Sequence, residues 1–214
     1  FVLQIAAKGG YNAVILQKGI AEKYYDRKKY KKLALIVKLN GKTELSGGDP
    51  VSRQICSVKE AKSLGAKAVG YTLYPGSKHE SVMFAEFGKI VEEAHRAGLP
   101  TMAGVYPRGK KIKDETSPEM IEYAARVGLE LGADIVKVKY SGSESSFAKV
   151  VKAAGKTKVM MAGGAKTSEK DFLKAVSDVM KAGALGVVVG RNVWQSPKPM
   201  LVTEKLKKII FHEN

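Results

Sequence analysis

The stretch Asp134-Ile135-Val136-Lys137-Val138-Lys139-Tyr140 sets two lysines at strand spacing. Side chains alternate along a strand, so Val136 and Val138 share one face and Ile135, Lys137 and Lys139 share the other. If the valines pack against helices, the lysines point into the interior. A buried ammonium is costly unless it is paired or used, and the neighbouring predicted strands carry few acids to pair with it. A free lysine, with a pKa of about 10.4, is a poor nucleophile near neutral pH. Burial and a nearby like charge both lower that value, and Lys139, on the same face as Lys137, is placed to supply the charge while also meeting an anionic substrate. A neutral Lys137 amine can add to a carbonyl and form a Schiff base, and its iminium then draws electrons from a breaking carbon–carbon bond. The competing reading pairs Lys137 with an inward acid.

Two further features could complete such a site. In Gly104-Val105-Tyr106-Pro107-Arg108-Gly109, Tyr106 faces opposite to Val105 and so shares the interior with Lys137. A phenol there can move a proton to or from a sugar hydroxyl; taken alone, Tyr106 reads equally well as a core filler. The segments Met161-Ala162-Gly163-Gly164-Ala165-Lys166-Thr167 and Val189-Gly190-Arg191-Asn192 end the last two predicted strands. Glycine lets a backbone approach an anion, N–H groups at a helix start bind it, and Arg191 adds a bidentate charge. Such paired loops bind phosphate in many barrels.

The elements that must carry these groups alternate regularly. Strands are predicted at 12–16, 33–39, 68–74, 100–106, 134–140, 158–163 and 186–190, and strands alternating with helices argue for a parallel sheet of βα units. Helices are expected from Ser57, where Ser57-Val58-Lys59-Glu60 has the pattern of a capping box, over 81–97, from Ser117-Pro118 to Gly132, and over 168–182. The repeated junctions Leu64-Gly65-Ala66, Leu131-Gly132-Ala133 and Ala182-Gly183-Ala184 end a helix and begin a strand within a few residues, as barrels do. Residues 1–8 read as the tail of a helix. The expectation is one domain over 1–214, a (β/α)8 TIM barrel with seven strands visible and the first missing, hence N-terminally incomplete. An open doubly wound sheet is the alternative, weakened because no glycine-rich dinucleotide fingerprint follows the first visible strand.

Composition narrows the function classes. The 214 residues are 44% hydrophobic and 27% charged, which is ordinary for a globular chain. No apolar run reaches the roughly 18 residues that span a bilayer, and no signal peptide is recognised, so a cytoplasmic protein without membrane contact is expected. The single cysteine, Cys56, cannot form an internal disulfide and reads as structural. His79, His95 and His212 lack metal-ligand spacing, so neither metal nor cofactor is expected. Trp194 and Met200 read as packing residues. The net charge of +16, from 37 basic and 21 acidic residues, would draw an anionic substrate. Basic runs such as Arg27-Lys28-Lys29-Tyr30-Lys31-Lys32 and Lys205-Leu206-Lys207-Lys208 fit solvated faces better than a nucleic-acid surface, which stays as a remote alternative.

The chain resembles the archaeal-type class I fructose-bisphosphate aldolases over almost its whole length. The likeness rests on Lys38-Leu39-Asn40-Gly41-Lys42-Thr43, on residues 65–77, on Tyr106-Pro107-Arg108-Gly109, on Glu130-Leu131-Gly132-Ala133-Asp134, on residues 137–142, on Gly163-Gly164 and on residues 189–195. The resemblance implies that Lys137 is the Schiff-base residue and Tyr106 the proton donor. It also implies phosphate binding by Ala162, Gly163, Gly164, Gly190 and Arg191, and contacts of Arg108 and Lys139 with the rest of the sugar phosphate. The expected reaction is reversible cleavage of fructose 1,6-bisphosphate to dihydroxyacetone phosphate and glyceraldehyde 3-phosphate, in glycolysis and gluconeogenesis, by a ring-based homo-oligomer such as a decamer. A related transaldolase-type synthase, 2-amino-3,7-dideoxy-D-threo-hept-6-ulosonate synthase, is the alternative; other enzymes with this barrel process a phosphorylated signalling sugar. Two departures stand out. The family's Asp-His-Gly motif at the end of its first strand is absent, and Gly104 stands where members often carry tryptophan, which enlarges the expected pocket.

Overall fold

A computed structural model describes residues 1–45 and 47–211. His212 lies outside them. Seven parallel strands form one curled sheet in chain order: β1 (Ala13–Gln17), β2 (Ala34–Lys38), β3 (Ala68–Leu73), β4 (Thr101–Val105), β5 (Ile135–Val138), β6 (Lys158–Ala162) and β7 (Gly186–Val188). Each neighbouring pair is parallel and each connection carries helix, the order of a (β/α)-barrel sheet. The helices are α1 (Val2–Lys8), α2 (Lys18–Tyr24), α3 (Val58–Ser63), α4 (Glu80–Arg96), α5 (Pro118–Glu130), α6 (Glu144–Ala153), α7 (Glu169–Lys181), α8 (Arg191–Trp194) and α9 (Pro199–Phe211). All seven predicted strands are found, generally shorter by a residue or two at their ends. A small antiparallel ribbon, Asn40–Gly41 with Arg53–Gln54, was not predicted, nor were α2, α6, α8 and α9.

The two faces of the sheet do different work. Leu35, Val37, Val69, Leu73, Ala103, Val105, Val136 and Val138 are buried in the main core between strands and helices. On the other face Ile36, Ala68 and Met102 pack with Ala13, Ile15, Ile135, Met160 and Val188 into a separate apolar cluster, the floor of the barrel interior. Because side chains alternate, the residue two places further along each strand points the same way. That next level comprises Gln17, Lys38, Gly70, Gly104, Lys137, Ala162 and Gly190. The placement of Lys137 on the interior face agrees with its alternation against Val136 and Val138.

Helix ends explain where strands begin. Ser117 accepts from the Met120 N–H and Pro118 opens α5, as its sequence predicts. At Gly65 and Gly132 the backbone takes φ of 88° and 81°, a left-handed turn that glycine adopts without a side-chain clash. The expected capping box at Ser57 is only half formed. Ser57 accepts from the Glu60 N–H at 3.0 Å, but the Glu60 carboxylate turns to Lys18, also at 3.0 Å, instead of reaching back. A full box closes the start of α6, with Ser143 and Ser146 in the two roles. Gly128 matters for close packing: a Cβ there would stand 2.7 Å from Val136 Cγ2, so the glycine lets α5 lie against the strand that bears Lys137. An interior helical glycine costs about 1 kcal/mol against alanine, and here that cost secures the contact.

Candidate active site

Lys137 is fixed by the strand that holds it. Asp134, just before β5, accepts from the Thr101 N–H at 2.7 Å and the Thr101 hydroxyl at 3.0 Å, and its carboxylate meets His95 at 2.9 Å. These contacts pin the start of β5 to the start of β4, and the resulting register sets Lys137 opposite Gly104. Protein packs around the Lys137 amine, and this desolvation lowers its pKa while the residue keeps partial exposure. No acid pairs with Lys137 among the described residues, so the competing reading of a structural ion pair is not what the fold provides.

Tyr106 follows β4, and its N–H donates to the Leu73 carbonyl at 3.0 Å. Its ring centroid lies 5.9 Å from Lys137 Nζ. Burial pushes the phenol well above its usual range, against a smaller opposing effect of the Arg108 charge, so the free protein holds Tyr106 protonated. Gly104 lies between the two. A Cβ on it would stand 3.3 Å from Tyr106 Cε2, 3.4 Å from Lys137 Cε and 3.5 Å from Thr72 Oγ1. Here the ring of Tyr106 itself leans over the bare glycine and takes part of the space a larger residue there would fill.

Lys139 does not serve as the like charge beside Lys137. It is ion-paired to Glu115, which also accepts from Arg108 Nε at 2.6 Å. Burial would raise the Glu115 carboxyl, but its bonds to Arg108 and Lys139 outweigh burial and hold it below the usual range. Glu115 was not anticipated: it sits in an irregular loop between β4 and α5, where no periodicity assigns a direction. Arg108 and Lys139 are nevertheless brought together, at one mouth of the barrel. The positive charge that acts across the interior with Lys137 belongs to Lys38 on β2.

The two glycine-rich strand ends meet as expected. Gly163 N–H donates to the Val188 carbonyl at 2.8 Å, so this amide serves the sheet and is not free for an anion. A Cβ on Gly163 would stand 3.2 Å from that oxygen and 3.3 Å from Val189 Cα, so glycine allows the two strand ends to touch. Gly164 takes φ of 66°, and Gly190 caps the start of α8. Arg191 is exposed and donates to the Gly164 carbonyl at 3.1 Å. Asn192, which sequence reasoning passed over, fastens the loops together. Its Nδ2 donates to Gly163 O at 2.7 Å and Ala165 O at 2.9 Å, and its Oδ1 accepts from Thr167 N at 2.9 Å. Its place beside Arg191 was the available signal, because a buried amide next to a phosphate loop is placed to organise it.

Other polar groups have structural work. Cys56 is buried, and burial with the Glu60 carboxylate pushes its thiol up to about 11, the state of an unreactive core cysteine. Asn40 is fully buried and exchanges bonds with Thr72 in both directions, at 2.8 and 2.9 Å, tying the ribbon to β3. The ring of Trp194 lies over Gly190, and Met200 packs on the core. No described helix is long and apolar enough to cross a membrane.

The arrangement is thus a partly exposed, desolvated lysine on an apolar barrel floor, beside a protonated phenol and two apposed phosphate-type loops. Residues 2–196 match the family described as DeoC/LacD family aldolase. The class 1 fructose-bisphosphate aldolase of Thermoproteus tenax is 50% identical over 212 residues, which are 99% of this chain and 79% of that protein. Its counterpart from Halobacterium salinarum is 44% identical over 212 residues, 99% of this chain and 80% of that protein. A solved archaeal fructose-1,6-bisphosphate aldolase, with its catalytic Lys covalently bound to the carbinolamine intermediate of the substrate, matches with a TM-score of 0.94 at 50% identity, covering 98% of this chain and 82% of that one.

Proposed function

We propose, from the premise that the chain belongs to the DeoC/LacD family of aldolases, that it is a class I fructose-bisphosphate aldolase in which Lys137 forms the Schiff base. The observation that carries this reading is the Lys137 amine itself: inward, desolvated and without an acid partner among the described residues. A lysine whose pKa is lowered offers a larger neutral fraction near pH 7, and only the neutral amine adds to a ketone. Attack on C2 of the open-chain sugar expels water and leaves an iminium. Breakage of the C3–C4 bond then sends its electron pair into the iminium, giving an enamine and releasing the aldehyde glyceraldehyde 3-phosphate. Protonation and hydrolysis of the enamine return Lys137 and release dihydroxyacetone phosphate.

Tyr106 serves the proton at the C4 oxygen. Its raised pKa suits a donor, the role it has when the reaction runs toward synthesis. In cleavage the phenol first gives up its own proton to solvent, favoured by the positive iminium on Lys137 that stabilises the phenolate, and the phenolate then takes the C4 hydroxyl proton as the C3–C4 bond breaks. Gly164, Gly190 and Arg191, with Ala162 and Gly163 as the backbone beneath them, hold one phosphate. Arg108 and Lys139 meet the other end of the sugar phosphate, with Glu115 keeping the two cations in place until substrate arrives. The same reading extends to glycolytic and gluconeogenic use in a cytoplasmic homo-oligomer.

The direct test is reductive trapping. The chain is incubated with dihydroxyacetone phosphate, reduced with borohydride, and the modified peptide identified by mass spectrometry. A stable adduct on Lys137 is expected; an adduct on a different lysine would overturn the assignment. Asn192→Ala tests the phosphate loops. Loss of its three bonds should loosen Gly163–Thr167 against α8 and raise KM for the bisphosphate by about tenfold, the cost of one or two buried hydrogen bonds. Steady-state kinetics should show kcat much less affected.

A further inference from the structure

Lys38 ends β2 on the interior face, two places beyond the floor residue Ile36. Its register neighbours are Gln17 on β1 and Gly70 on β3. Between β2 and β5 the strands contribute Gly70 and Gly104 at this level, so their side chains leave the interior open between Lys38 and Lys137. The lysine is half-buried, and the charges that act on it are those of Lys137 and Lys42, both positive. It has no carboxylate partner among the described residues.

Gln17 stands next to it in register. Gln17 Nε2 donates to the Asn40 carbonyl at 3.1 Å, which fixes the amide's orientation. Its Oε1 is buried and has no hydrogen-bond partner. An unsatisfied buried acceptor is costly, as is an unpaired half-buried cation, so both persist best where a ligand completes them. A donor and an acceptor on register-paired residues of neighbouring strands match a hydroxyl, which accepts one hydrogen bond and donates another. A phosphate would be repelled by the amide oxygen, and a carbonyl could satisfy only the lysine.

We propose that Lys38 and Gln17 form a hydroxyl-recognising pair, which holds the hydroxyl on the carbon next to the one bonded to Lys137. Lys38 Nζ donates to that hydroxyl's oxygen, and the hydroxyl donates to Gln17 Oε1. The pair makes the site selective for ketoses hydroxylated at that carbon, because an analogue without the group leaves both partners unpaired. This inference rests on the Schiff-base reading and deepens it by naming what the opposite wall of the site recognises.

Two ketone phosphates test it. Dihydroxyacetone phosphate carries the hydroxyl; hydroxyacetone phosphate has a methyl group in place of the hydroxymethyl and is otherwise the same. Each is titrated against the whole chain with borohydride trapping, and the concentration giving half-maximal adduct on Lys137 is read by mass spectrometry. The unaltered protein should prefer the hydroxylated ketone by about 10- to 100-fold. In Lys38→Met and in Gln17→Leu that preference, the ratio of the two half-maximal concentrations, should fall toward unity. A preference that survives both substitutions would overturn the proposal, as would equal weakening for both ketones in a folded variant. If circular dichroism shows Lys38→Met unfolded, Gln17→Leu decides. Absence of any adduct in the unaltered protein would overturn the Schiff-base reading, and this inference with it.

Discussion

Lys137→Met should abolish turnover, with a loss on the order of 10⁵-fold or more, comparable to removal of a covalent nucleophile in other enzymes. Methionine keeps the length and packing of the side chain but offers no amine, so no iminium forms and the C3–C4 bond has no electron sink. The same substitution should leave the protein at least as stable. Burial lowers the Lys137 pKa in the folded state, so between the folded and unfolded values the unfolded chain binds more protons at this site than the folded one. Stability from this residue therefore rises with pH between the lowered folded value and the unfolded value of about 10.4, and at pH 7 the lysine is a net cost. Methionine removes that cost. A dead enzyme with an unchanged or raised melting temperature at pH 7 is the expected outcome, from aldol-cleavage assays and thermal unfolding in parallel. A variant that retained substantial cleavage would sink the mechanism; an inactive variant that melted much earlier would point to a structural role for the lysine.

Lys137 was legible in the sequence through strand alternation. A lysine between core-facing valines breaks the economy of a buried strand, and Val136 and Val138 are indeed buried where the alternation puts them. The period of two assigns direction on any strand. It assigns Lys38 too, through Ala34 and Ile36, although the sequence reading used Lys38 only as part of a family motif and gave it no role. Glu115 was beyond such reasoning. It meets Lys139 and Arg108 from an irregular loop, and its direction follows from tertiary packing alone. The missed helices have a comparable cause. The short α2 follows β1 without a side-chain cap, and its sequence Lys18-Gly19-Ile20-Ala21 contains glycine near the start. Propensity there is weak, and packing against β1 and β2 decides the conformation.

The barrel interior also divides labour by height. The floor is apolar on all seven strands, and the next level holds a cation on β2 and another on β5 with glycine between them. Small residues at Gly70, Gly104, Ala162 and Gly190 make the room; the long side chains at Lys38 and Lys137 use it. An apolar floor keeps the dielectric low beneath the amine, which is what depresses its proton affinity and strengthens each charge that develops above it.

Tyr106→Phe should separate the two halves of the mechanism. The substitution deletes one oxygen and keeps the ring that leans over Gly104, so the packing around Lys137 Cε is preserved. Imine formation needs the amine and the carbonyl but not a group at C4, so borohydride trapping of dihydroxyacetone phosphate on Lys137 should persist. Cleavage of fructose 1,6-bisphosphate needs the C4 proton removed as the bond breaks, and its kcat should fall by about 10² to 10⁴, the usual worth of a positioned acid–base group. The reverse condensation should fall by a similar factor, because the same phenol returns the proton. Retained cleavage with retained trapping would show that another group handles the C4 oxygen. Loss of trapping in a folded Tyr106→Phe protein would show instead that the hydroxyl is needed at the carbonyl carbon. The buried, protonated state of Tyr106 argues for the first division of labour: a phenol held in acid form beside a desolvated amine can await the iminium charge before it ever needs to ionise.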